Sequence, residues 1–178
     1  SFHQIRAVQQ NIEARIEKQG LTPTYNAEMQ KMIDSGSVRP LDPRELQEWD
    51  GPVHFMPHFA ILNPESSSTA LRIVVDSKCP NRKSGLSFND LISEVPNALN
   101  EILQVQLRWR EFEHSIMYDL LKAYHTLWTG LLELHLRRFL FRFSTQEDWT
   151  IYGYTVVAFR DKPAALALEL GKELMARL

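Results

Sequence analysis

Asp119 closes a short apolar run, Ser115-Ile116-Met117-Tyr118-Asp119, and is followed at once by Leu120 to Leu127, which reads as a helix. An acid in that place is presented at the edge of a sheet. Hard divalent cations such as Mg²⁺ take oxygen ligands of this kind. Nucleotidyl transfer uses them to hold two Mg²⁺ ions about 3.5–4 Å apart, activating a 3′-hydroxyl and stabilising the leaving pyrophosphate. The plainer role for an aspartate there is a cap on the next helix. Other candidate groups carry less. Arg137, Arg138 and Arg142 form a basic cluster that either touches a phosphate backbone or is a solvated face. His54 and His58 are spaced for one strand face, but no third or fourth metal ligand lies near them. The single cysteine, Cys79, can close no internal disulfide and has no positional partner for catalysis. There is no Gly-rich phosphate loop.

The elements that must position these groups read as helices mixed with hairpins. Ile5, Val8, Ile12 and Ile16 mark one face of a helix over residues 4 to 18, with Gly20 as its stop. Tyr25, Met29, Met32 and Ile33 mark a second helix, with Thr24 its candidate cap and Ser35-Gly36 its end. Residues 40 to 52 read as a loop with at most one short helical turn. The runs His58 to Leu62 and Ala70 to Val75, joined by a polar turn, read as a β-hairpin. A loop follows over 76 to 88, then a leucine-rich stretch from Leu91 to Leu107 with helical spacing after Pro96. After the Asp119 segment, Phe139 to Phe143 and Tyr152 to Val157 are two strands joined by a turn. Pro163 to Leu178 reads as a helix, with Pro163 in its first turn. The order predicts the α+β class.

Composition sets bounds on all of this. A hydrophobic content of 44% against 24% charged residues suits a folded core rather than a disordered chain. The net charge of -2 gives no global basic signal, so any nucleic-acid surface must come from local clustering. No apolar run reaches the roughly 18 residues of a membrane span, and the first residues lack a signal-peptide apolar region. One cysteine suits a reducing compartment. The expectation is therefore an intracellular protein, cytoplasmic or nuclear, that is neither secreted nor membrane-bound.

Several segments in sequence order carry a resemblance. Pro57-His58-Phe59-Ala60-Ile61-Leu62-Asn63-Pro64-Glu65-Ser66 with Ser68-Thr69, and Leu71-Arg72-Ile73-Val74-Val75-Asp76-Ser77, resemble the two fingers strands of reverse transcriptases of BEL/Pao-type LTR retrotransposons. Gly85-Leu86-Ser87-Phe88-Asn89-Asp90 is similar to that family's Gly-x-Ser-Leu-Asn-Asp element, and Leu107-Arg108-Trp109-Arg110 to the end of the helix after it. Asp119-Leu120-Leu121-Lys122-Ala123-Tyr124-His125 looks like polymerase motif A, and Arg137-Arg138-Phe139-Leu140-Phe141-Arg142 like the segment that follows. Phe159-Arg160-Asp161-Lys162-Pro163-Ala164-Ala165 looks like motif B, and Tyr25 to Ser37 matches the first helix of the fingers. The resemblance spans roughly residues 20 to 178.

The resemblance implies a reverse-transcriptase-like fold of fingers and partial palm, with an N-terminal helix over 1–20, a fingers-like region over 21–110 and a partial palm over 111–178. It implies an RNA-directed DNA polymerase that uses Mg²⁺, a primer–template of RNA or DNA, and deoxynucleoside triphosphates. Asp119 would be the catalytic metal ligand. Arg72, Tyr124, Phe159 and Pro163 would face the nucleotide, with Arg72 on the triphosphate and Tyr124 under the sugar. Arg137, Arg138 and Arg142 would touch nucleic acid. Asp76 and Asn89 would orient loops through side-chain to backbone bonds.

Four departures stand against that pattern. The chain stops in the motif B helix, before the paired-aspartate hairpin of motif C, and it contains no adjacent Asp-Asp. Tyr118 precedes the metal aspartate where the family carries a small residue. Arg160 stands where motif B carries Gly, which gives the backbone close approach or a positive φ. Asn63 stands where the family often has Lys. The expectation is a fragment without polymerase activity of its own, or a decayed or domesticated module that binds nucleic acid or a protein. A sheet cut before motif C would also expose an edge and an apolar face, so self-association or a covering partner is expected.

Overall fold

The apolar stripe of the first segment folds as its spacing predicts. Helix α1 (Phe2–Lys18) buries Ile5 and Ile16 and, on the same face, Gln9. It stops at Gly20, whose φ of 69° is a left-handed conformation that glycine adopts without strain. A computed structural model of the chain describes residues 2–63, 71–93, 101–114, 116, 123–158 and 161–176. Helix α2 (Thr22–Asp34) begins two residues earlier than the expected Thr24 cap. Pro23 is tolerated in a first helical turn, so the helix extends back through it, and Leu21 takes the cap position without a side-chain bond.

Two antiparallel units follow. The hairpin of β2 (His58–Leu62) and β3 (Leu71–Val75) pairs His58 with Val75 and Ile61 with Arg72. The second unit is a three-stranded sheet in the order β1 (Val38–Pro40), β5 (Thr150–Tyr154), β4 (Arg138–Phe141). The expected β4–β5 pairing is present, with Phe139 opposite Tyr152. Their rings stack with centroids 5.5 Å apart, a cross-strand aromatic pair that favours this register. Strand β1 was not anticipated. It is three residues long, ends in proline and is defined only by its partner β5.

The remaining helices are short. Pro43–Glu48 forms α3, capped by Asp42, whose carboxylate accepts from Arg44 N at 2.7 Å. Helix α4 (Phe88–Leu91) was not anticipated; of the leucine-rich helix expected after Pro96, Ile102–Trp109 forms α5, and residues 94–100 lie outside the described ones. Ser87 and Asp90 close a capping box at the start of α4. Of the helix expected over Leu120 to Leu127, residues Ala123–Thr126 form a single 3₁₀ turn. Helix α6 (Leu131–Leu136), also unanticipated, packs on β5 at Gly153. A Cβ on Gly153 would lie 2.5 Å from Leu134 Cδ1, so any larger residue would force the Leu134 side chain to shift. Helix α7 (Ala164–Ala176) follows Pro163.

The architecture is α+β. Its core joins both strand units to the first two helices, through Ile16, Tyr25, Met29, Met56, Val75, Phe139 and Phe141. The described part of the chain contains no helix long and apolar enough to cross a membrane.

Candidate functional site

The β2–β3 hairpin packs one face against the core, while its other face buries Val74 and leaves Arg72 exposed. Leu71 and Val75 are buried, and Ala60 and Ile73 pack beside them. Arg72 lies on the opposite face, with Ile61 across from it, and is exposed. Among the described residues Arg72 makes no ion pair or hydrogen bond. Its guanidinium is available for an anion, which it can grip directionally.

The three other arginines have internal partners. Arg137 is 4% exposed and its Nε donates to Asp161 Oδ2 at 2.6 Å. Arg138 is 5% exposed and donates to His135 Nδ1 from Nε at 3.1 Å and Nη2 at 2.6 Å. Arg142 is half-buried, grips both Glu13 oxygens at 3.0 and 2.6 Å, and lies 4.3 Å over the Trp149 ring. These arginines do not share one open face in this structure. A strand buried along its whole length, as β4 is, leaves flanking charges to be paired internally.

Tyr124 sits half-buried in the 3₁₀ turn. Pro163 is half-buried directly ahead of α7, where its carbonyl accepts from Ala167 N at 2.9 Å. Asp119 and Phe159, with Tyr118 and Arg160, lie outside the described residues. Among the described residues no group of three His, Cys, Asp or Glu side chains is placed to hold a metal ion. The expected Mg²⁺ ligation by Asp119 therefore rests on the sequence pattern alone. Asp76 and Asn89 orient loops in the expected way. Asp76 Oδ1 accepts from Lys78 N at 3.1 Å, and Asn89 Oδ1 accepts from Lys162 N at 3.1 Å.

Two buried polar nodes escaped the sequence. In the first, fully buried His58 donates from Nε2 to the Leu140 carbonyl at 2.9 Å, so its Nδ1 is the acceptor for the Tyr25 hydroxyl. Gln9 bonds both backbone groups of His58 at 3.1 Å. Burial, against the weaker pull of the Leu140 carbonyl, pushes His58 down to about 4. Burial, with Tyr154 nearby, holds the Tyr25 phenol well above its ordinary value. His58 is thus a neutral core histidine. The signal for it was its place at the head of an apolar strand.

In the second node, Asp161 is 4% exposed and binds Arg137 on one oxygen and Ser77 Oγ, at 2.8 Å, on the other. Burial first, then the Asp161 charge, holds the nearby Tyr154 phenol above its ordinary value. The guanidinium of Arg137 also lies 5.2 Å from the Phe88 ring centroid, and its Nη1 has no hydrogen-bond partner among the described residues. Nothing local in Asp161-Lys162-Pro163 announces a buried carboxylate.

Apolar exposure is uneven. Helix α5 buries none of its residues, and Ile102, Leu103 and Leu107 are all more than half exposed. Phe112, Trp128 and Leu131 continue that exposure. No protein-family model matches the chain, and no curated protein matches it.

Proposed function

We propose that this chain is the fingers and partial palm of an RNA-directed DNA polymerase of the BEL/Pao retrotransposon type. The observation that carries the reading is the order of the motif-like segments from Pro57 to Ala165. The β2–β3 hairpin supports it, because its one outward arginine is Arg72, the residue assigned to the triphosphate. In this reading Asp119 is the metal ligand, and Mg²⁺ supplies charge neutralisation at the phosphates when bound. Tyr124, Phe159 and Pro163 shape the nucleotide floor. The protein works inside the cell on an RNA or DNA primer–template, and a partner or a second copy covers the truncated palm.

The second reading is a decayed or domesticated module that binds nucleic acid or protein without catalysis. The internal pairing of Arg137, Arg138 and Arg142 favours it, because it engages the three guanidinium groups otherwise assigned to phosphates. Tyr118 and Arg160 point the same way.

Calorimetric titration with Mg²⁺ and a deoxynucleoside triphosphate, with and without primer–template, separates the two. The polymerase reading expects binding that Asp119→Asn and Arg72→Ala each weaken. Binding by neither wild type nor variants counts against it and favours the second reading.

A further inference from the structure

A two-stranded hairpin is marginal by itself, so its direction depends on what holds its stem. Both strands of the β2–β3 stem are tied at its open end, where His58 pairs with Val75, by buried polar bonds. At the start of β2, His58 is bonded to Leu140 on β4 and to Gln9 on α1. Two residues beyond β3, Ser77 is 2% exposed and donates to Asp161 at 2.8 Å. Asp161 also accepts from Arg137, at the head of β4, and stands just ahead of α7. A parallel route runs from the Ser77 carbonyl to Asn89 N at 3.1 Å, and from Asn89 Oδ1 to Lys162 N. One carboxylate thus joins three elements that the reading above gives to fingers, palm and motif B.

We propose that Asp161 is a positioning residue, which through Ser77 and Arg137 sets the direction of the β2–β3 hairpin and so places Arg72 for a triphosphate. The inference rests on the polymerase reading. Geometry gives it leverage. Arg72 is five residues from Ser77, about 16 Å along an extended strand. A tilt of about 5° at the stem would then move Arg72 by about 1.4 Å. Misplacement of about 1 Å at a binding group is enough to cost much of its effect. The bond to Ser77 contributes direction, while the bond to Arg137 fixes the buried carboxylate in place.

The test uses the full chain, Mg²⁺ with a deoxynucleoside triphosphate, and hydrogen exchange of the β2–β3 amides. Ser77→Ala removes one bond and should leave the chain folded. Asp161→Asn keeps the shape and removes the charge. Ser77→Ala is expected to weaken triphosphate binding by about threefold to tenfold and to quicken exchange in the hairpin but not in α1. In an Arg72→Ala background it should weaken binding no further, because its effect passes through Arg72. Independent, multiplying losses would overturn the proposal, as would unchanged hairpin exchange. Wild-type binding that Arg72→Ala weakens and Ser77→Ala does not would overturn the positioning role alone. No wild-type binding, with quickened hairpin exchange in Ser77→Ala, would overturn the polymerase reading and leave the mechanical tie supported.

Discussion

Strand β3 carries Arg72 on a face open to solvent, whereas β4 and its flanks carry Arg137, Arg138 and Arg142 turned toward internal partners. Both strands belong to antiparallel pairs, and both read as arginine-bearing in sequence. The difference lies in what covers them. The hairpin packs one face on the core and on the other buries Val74 but not Arg72, so that charge stays hydrated. All four residues of β4 are buried, with β5 on one side and a bridge to Phe55 on the other. A guanidinium beside such a strand must find a carboxylate, a ring nitrogen or a carbonyl. The comparison teaches that an arginine cluster in sequence is a surface only if the sheet leaves it one.

The comparison breaks most sharply at Arg137. Replacing it with alanine strands the buried Asp161 charge, so a stability loss of about 3–5 kcal/mol is expected in urea denaturation. A loss below about 1 kcal/mol would mean the pair is not desolvated.

Acid should act next. His58 has its proton affinity lowered from 6.5 to about 4 by burial. Between those values the unfolded chain binds more protons than the folded one. Stability therefore rises with pH across that window, complete above about 6.5 and lost toward 4, by about 3 kcal/mol in all. Burial lowers His54 and His135 as well, which adds in the same direction. Denaturation midpoints measured from pH 7 to pH 4 test this, and a flat profile would contradict a neutral buried His58.

Arg142→Ala should cost about 1 kcal/mol, because its pair with Glu13 is part-exposed and its contact with Trp149 adds a modest attraction. Arg72→Ala sharpens the contrast from the other side. Stability should change by less than about 0.5 kcal/mol, since no described residue bonds that side chain, while on the polymerase reading triphosphate binding falls.

The legible parts of the fold were those written in local periodicity. Helices α1 and α2 followed their apolar spacing, α7 its Ala- and Leu-rich composition, and both hairpins followed runs of β-branched and aromatic residues between turns. Strand β1 was hidden because three residues ending in Pro40 carry no periodic signal, and only hydrogen bonds to β5 make them a strand. Helix α6 was hidden because Leu131-Leu132-Glu133-Leu134-His135-Leu136 is too short to separate a helical from an extended pattern. Of the candidate site, the outward placement of Arg72 agrees with its strand alternation, while the pairing of Arg137 with Asp161 spans 24 residues and had no local trace.

By itself the sequence determined the α+β class, the main helices, the two hairpins and the motif order, because each depends on neighbours within a few turns or a few residues of strand. Only the tertiary structure decided which arginines face solvent, that His58 is a core residue and not a ligand, and that Asp161 ties hairpin, β4 and α7 together. Those outcomes depend on burial, and burial depends on which distant elements meet.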